Sequence, residues 1–210
     1  MNTIITIGRQ FGSAGREIGE KVAAHFGIPC YDKELLSRAA KESGFCEEMI
    51  ESHDERPTNS FLYNLVMDTY SFGYNTASFV DMPISQKVFL AQFDTIKKIA
   101  SEGPCVIVGR CADFILKDYP NVLKLYVHAP LEHCIETVTN LGICPHKQAK
   151  NYIQTIDKRR SAYYHYFTGQ DWKDADHYDL CLNTANLSNV QCINLVKAYL
   201  QIQFGTTFNK

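Results

Sequence analysis

Between an alternating stretch, Thr3-Ile4-Ile5-Thr6-Ile7, and a helical pattern that begins near residue 16, the chain reads Gly8-Arg9-Gln10-Phe11-Gly12-Ser13-Ala14-Gly15-Arg16-Glu17. A glycine-rich turn between a strand and a helix constrains the fold more than any other feature of this sequence. Glycines allow consecutive backbone N–H groups to point inward at an anion. The N-terminus of the following helix adds partial positive charge. The phosphate-loop pattern G-x-x-x-x-G-K-[ST] sets a lysine and a hydroxyl directly after its second glycine. With Gly15 as that glycine, Arg16 takes the lysine position, Glu17 the hydroxyl position and Gln10 the first glycine. Arg16 is suited to grip phosphate with a two-pronged guanidinium. Glu17 either binds a metal ion directly or simply suits the first turn of a helix. Arg9 is a second cation at the strand end, beside a phosphate or facing solvent. The competing reading of the whole segment is a turn that needs glycine for backbone reasons alone.

The rest of the chain alternates strand and helix patterns. Strands are predicted over 3–7, 28–31, 105–108, 122–127 and 178–183. Helices are predicted over 16–26, 33–42, 84–101, 130–140, 146–168 and 188–203. Continuous apolar runs such as Cys105-Val106-Ile107-Val108 suit strands buried on both faces. The alternation argues an α/β fold, a parallel sheet with helices on both faces. Ligands in such sheets bind at the carboxyl ends of the strands. Residues 54–82 are the least regular and carry Phe61, Tyr63, Tyr70, Phe72, Tyr74 and Phe79. They read as a partly helical insertion over a site or as an aromatic piece of core.

At 210 residues the chain is long enough for one such domain. Its formal net charge of −2 gives no electrostatic footprint for duplex nucleic acid. No apolar run approaches the ~18 residues of a membrane span, and the start has no basic leader, so a cytoplasmic protein is expected. Eight cysteines are present without a C-x-x-C pair. They are expected to be reduced, buried small hydrophobes rather than metal ligands.

The segment 4–19 around this loop resembles the N-terminal signature of the cytidylate kinase-like family. Further similar blocks follow in the same order: Ile28-Pro29-Cys30-Tyr31-Asp32-Lys33-Glu34-Leu35, then Cys105-Val106-Ile107-Val108-Gly109-Arg110-Cys111-Ala112-Asp113, then Asp157-Lys158-Arg159-Arg160-Ser161-Ala162-Tyr163-Tyr164, then Tyr178-Asp179-Leu180-Cys181-Leu182-Asn183-Thr184. The resemblance implies a P-loop NTPase-type fold over residues 1–210, with a helical insertion at about 45–85 and a lid at about 131–160. It implies ATP with Mg²⁺ as donor and a nucleoside monophosphate or another small acceptor.

Carried over by position, Gly12, Ser13, Ala14, Gly15 and Arg16 cradle the donor phosphates, with Arg9 and Glu17 beside them. Arg110, at a strand end, faces the acceptor phosphate or makes a salt bridge. Asp32 orients acceptor or Mg²⁺, or caps the next helix. Arg159 and Arg160 supply charge to the migrating phosphoryl group or lie on a solvated helix face, and Asp157 and Arg160 have the spacing of an ion pair. Residues 132–140 hold no arginine where related lids carry several. Nucleotide binding with slow transfer is therefore expected. The alternative is a non-catalytic nucleotide- or anion-binding module of the same fold.

Overall fold

The structure, a computed structural model, describes residues 3–56 and 82–205. Its five strands are β1 (Ile4–Arg9), β2 (Cys30–Tyr31), β3 (Cys105–Val108), β4 (Val122–His128) and β5 (Leu180–Asn183). They form one parallel sheet in the order β2-β3-β1-β4-β5. β1 is central, paired with β3 from Ile4↔Cys105 to Ile7↔Val108 and with β4 from Ile4↔Val122 to Arg9↔Val127. Every residue of β1 and β3 is buried, which is why both read as unbroken runs rather than as alternating patterns.

The helices are α1 (Gly15–Phe26), α2 (Lys33–Ser43), α3 (Glu47–His53), α4 (Ile84–Glu102), α5 (Ala112–Ile115), α6 (Leu131–Asn140), α7 (His146–Thr168) and α8 (Asn189–Phe204). On one face of the sheet, Ile5, Ile7, Val106 and Leu125 pack against Ile18 and Val22 of α1 and Val196 and Leu200 of α8. On the other, Ile4, Ile107 and Tyr126 pack against Leu35 of α2, Phe89 and Ile96 of α4 and Phe167 of α7. The α6–α7 hairpin has a small core of its own, built from Cys134, Ile135 and Val138 against Ala149 and Ile153. Two-sided coverage of a parallel sheet is what the strand–helix alternation predicts.

The elements differ from their predicted spans mainly at the edges. The strand expected over 28–31 forms only at Cys30–Tyr31. Pro29 lacks a donor and contributes only its carbonyl, which accepts from Val106 N at 2.9 Å. The strand expected from 178 begins at Leu180, because Tyr178 turns inward and its hydroxyl donates to the Trp172 carbonyl at 2.8 Å. Pro145 lies just outside α7 as its cap, and Gly142 before it has φ 66°. The seven residues of α3, which no predicted helix covers, fall in the expected insertion; its aromatics, Phe61 to Phe79, lie outside the described residues.

All eight cysteines are free; Cys105, Cys111, Cys134, Cys144 and Cys192 are buried, but Cys46 and Cys181 are exposed. In β5 the pleat turns Leu182 inward and so leaves Cys181 outward. Among the described residues no helix is long and apolar enough to cross a membrane.

Candidate phosphate-binding site

The loop between β1 and α1 is shaped by close approach. A Cβ at Gly15 would lie 2.5 Å from Arg9 Cβ, and one at Gly12 would lie 2.8 Å from the Cys134 carbonyl oxygen on α6. Gly12 also has φ 81°, where glycine is unstrained. Ala14, directly before α1, takes φ 60° and makes no side-chain cap bond. The first N–H groups of a helix have no intrahelical partner, so here they are left without a side-chain acceptor. The loop itself is stitched to the sheet. Gln10 N donates to the Val127 carbonyl at 3.0 Å, and Gln10 Oε1 accepts from Ala129 N at 3.2 Å. Ser13 Oγ donates to the Gln10 carbonyl at 2.8 Å and to the Val127 carbonyl at 3.1 Å. Ser13 is fully buried, so it holds the loop from behind and its side chain is no part of the open surface.

A cavity of about 590 Å³ opens at the carboxyl ends of β1 and β3. Arg9, Gly12, Ala14, Gly15, Arg16, Glu17, Asp32, Arg110, Arg159 and Arg160 all line it. The fold thus brings together residues from β1, the loop, α1, the β2–α2 and β3–α5 turns and α7. Ser13 is the member of the predicted set outside this lining. Arg16 is half-exposed, with Nε 2.8 Å from Glu20 Oε1 and 3.3 Å from Asp32 Oδ2. Glu17 accepts from Lys21 Nζ at 2.6 Å and from Asn189 Nδ2 at 2.9 Å, which commits its carboxylate to the rim.

Asp32 makes no cap bond to α2. Its carboxylate pairs instead with Arg110 Nη1. Arg110 is 4% exposed and follows Gly109 in a run of three left-handed residues completed by Cys111. That turn folds the guanidinium back onto the strand end. Nε and Nη2 fork onto Asp54 at 3.1 and 2.9 Å, while Nη1 also donates to the Val108 carbonyl at 2.9 Å. The salt-bridge reading of Arg110 is thus realised within the cavity. Burial would raise the Asp32 carboxyl, but Arg110, Arg9 and Arg16 outweigh it and hold it below its ordinary value.

Sequence reasoning missed two acids. Asp54 and Glu55 form part of the cavity wall. Glu55 Oε1 is 2.6 Å from Arg9 Nη1 and its Oε2 is 2.9 Å from Arg160 Nε. Burial acts to raise the Glu55 carboxyl, yet Arg9, Arg160 and Arg110 hold it well below the ordinary range. Asp157 does not pair with Arg160 as their spacing suggests. Its Oδ1 accepts from Phe11 N at 2.8 Å, and burial pushes its carboxyl up. The only signal in the sequence for Asp54 and Glu55 was an acidic pair ahead of Arg56-Pro57 in an irregular stretch. Among the described residues no group of three or more His, Cys, Asp or Glu is arranged to hold a metal ion.

The sequence pattern of the cytidylate kinase-like family matches residues 4–186. This chain belongs to the cytidylate kinase-like family. A cytidylate kinase of Methanopyrus kandleri is 24% identical over 208 residues, spanning 94% of this chain and 93% of that protein. A solved structure of a protein from Eubacterium ventriosum superposes with a TM-score of 0.73 at 27% identity, covering 97% of this chain and all of that one. A shikimate kinase from Bacteroides thetaiotaomicron matches with a TM-score of 0.51 at 10% identity, over 96% of this chain and 98% of that one. The last likeness concerns the fold, which is the α/β P-loop NTPase type. Within the cytidylate kinase-like family, then, the loop at Gly12–Arg16 and the arginines around it occupy the carboxyl edge of the sheet, where ligands bind in folds of this kind.

Proposed function

We propose that this protein is an ATP-dependent phosphotransferase that moves a phosphoryl group to a nucleoside monophosphate or a similar small phosphorylated acceptor. The observation that carries this reading is one cavity in which an uncapped helix N-terminus meets Arg9, Arg16, Arg110, Arg159 and Arg160. Phosphoryl transfer asks little covalent chemistry of a protein; it asks for positioning and for positive charge around three spreading oxygens. The N–H groups at the start of α1 and Arg16 suit the donor phosphates. Arg110, buried and forked, suits a monophosphate, with Asp32 and Asp54 fixing its plane. Arg159 and Arg160 on α7 suit the migrating group. The name of the Methanopyrus kandleri relative supports cytidine monophosphate as the acceptor to try first.

Mg²⁺ fits this donor set. It is commonly held by one or two carboxylates together with substrate phosphates and water, and Asp32 and Asp54 face the same cavity as the loop. When bound, it would neutralise charge on the donor phosphates. We assign the α6–α7 hairpin as the lid, about 131–160, and the segment at about 45–85 as the insertion. A cytoplasmic location accords with this chemistry.

A second reading, a binding module without turnover, is favoured by the lid's composition: α6 and its turn line the cavity with Thr137, Val138, Leu141 and Ile143 rather than with arginines. Incubation with γ-labelled ATP, Mg²⁺ and a panel of nucleoside monophosphates separates the two. Label appearing in an acceptor supports the transferase. ATP binding with no labelled product supports the module, and absence of nucleotide binding removes both.

A further inference from the structure

Arg9 and Arg160 share a single counter-ion. Both are largely buried, with side chains 8% and 13% exposed, and the Glu55 carboxylate lies between them. Arg160 Nη1 also reaches the Arg9 carbonyl at 3.4 Å, and the Phe11 ring lies 5.6 Å from the central carbon of Arg160. The two guanidinium groups are thus held as a fixed pair, each close enough to oppose the other. Burial, and then Arg9, push the Arg160 guanidinium down from its ordinary value, with Glu55 working against them.

One carboxylate brings one negative charge and two oxygens to this pair. A terminal phosphoryl group brings close to two charges and three oxygens at neutral pH. It is the better counter-ion for two forked cations on both counts. Glu55 also keeps its place at a backbone cost. Its φ is 48°, in the left-handed region that a residue with a side chain avoids. The space it fills exists because Gly109 has no side chain: a Cβ there would lie 2.6 Å from Glu55 Oε1. The pair faces the same cavity as the start of α1. Strain at one residue, held in place by ion pairs, is a feature of segments that move at functional sites.

We propose that the Arg9–Arg160 pair is a phosphoryl-binding site, held in the absence of substrate by the chain's own Glu55 carboxylate and released when the incoming group displaces it. The proposal deepens the phosphotransferase reading and rests on it only for the source of the phosphoryl group. The donor triphosphate and the acceptor monophosphate share this chemistry.

Calorimetric titration of the full chain with tripolyphosphate, ATP and cytidine monophosphate tests it. Glu55→Gln removes the competing charge, so tripolyphosphate is expected to bind about tenfold more tightly or better than to the parent, that is 1.4 kcal/mol or more. Arg9→Ala in the Glu55→Gln background should abolish the gain. If ATP gains from Glu55→Gln and cytidine monophosphate does not, the site takes the donor; the reverse assigns the acceptor. Unchanged or weaker tripolyphosphate binding by Glu55→Gln overturns the proposal. Because this variant leaves two buried cations unpaired, its melting temperature is measured in phosphate and in chloride at equal ionic strength. A larger rise in phosphate than the parent shows supports the site, and an equal rise counts against it. Parent enzyme that transfers phosphate while Glu55→Gln shows neither gain leaves the phosphotransferase standing without this site. Tripolyphosphate binding to Glu55→Gln with no ATP binding by either protein does the opposite.

Discussion

The backbone N–H of Phe11 donates to Asp157 Oδ1 across 2.8 Å, tying the glycine-rich loop to the middle of α7. Phe11 is further held by an edge contact with Tyr152, one turn and a half earlier on the same helix, at 5.5 Å between ring centres. The loop therefore has support from the hairpin as well as from the sheet.

Asp157→Ala leaves the Phe11 N–H without its acceptor and should cost about 1–3 kcal/mol of stability. Asp157→Asn keeps an acceptor oxygen and should cost less. Urea unfolding of both variants checks the order. Equal losses, or no loss in either, would remove Asp157 from the support of the loop.

Gly15→Ala should damage the loop more than Gly27→Ala. The added methyl at Gly15 meets the Arg9 side chain, whereas nothing lies within 4 Å at Gly27. Crowding of this kind typically costs about 1–3 kcal/mol. At Gly27, φ 67°, only the backbone preference is lost, about 1 kcal/mol. ATP binding is expected to fail in the first variant and persist in the second, as measured by calorimetry.

Arg110→Ala strands Asp32 and Asp54 and should destabilise by about 3–5 kcal/mol, as breaking a buried pair does. Arg110→Lys keeps the charge but not the fork. Its stability should recover in part while the KM for the monophosphate stays raised. A lysine variant with the parent's KM would take Arg110 out of acceptor binding.

Arg159 is exposed, so Arg159→Ala should leave stability close to that of the parent. If its charge acts on the migrating group, kcat falls while the dissociation constant for ATP changes little; a tenfold fall corresponds to about 1.4 kcal/mol. Arg160→Ala should lower kcat and also lower stability, since Glu55 loses a partner. Steady-state kinetics with ATP titrations reads both, and turnover unchanged in both variants would remove Arg159 and Arg160 from the transfer step.

Acid should weaken the site from the carboxylates upward. Glu55 and Asp32 have folded-state values below their ordinary ones, 4.5 and 3.8, so the folded protein binds fewer protons there than the unfolded chain. Their stabilisation is complete above those values and is lost as pH falls through the folded ones. Asp113 and Asp157 are raised by burial and slope the other way, weakening the fold as pH rises past the ordinary value. Urea midpoints measured from about pH 3 to 7 should fall at the acid end, and Glu55→Gln should flatten that fall. A variant with the parent's acid slope would contradict the assignment of Glu55 as a low-lying carboxylate.

The sequence alone determined the order of strands and helices and the span of the long helix 146–168, because those follow from local apolar patterns and from stops such as Gly27 and Gly169. It also determined the glycine loop and, through position, which arginines belong near it. Local pattern says nothing of partners distant in the chain. Arg9 and Glu55 are 46 residues apart, and Arg110 and Asp32 are 78 apart. Only the tertiary structure decided that Arg9, Arg16, Arg110 and Arg160 are each matched by an acid, that Asp157 serves the loop rather than Arg160, and that Ser13 faces inward. The physical reason is the same in each case. A buried charge or N–H must find a partner, and the sheet order β2-β3-β1-β4-β5, rather than nearness in sequence, sets which groups are within reach.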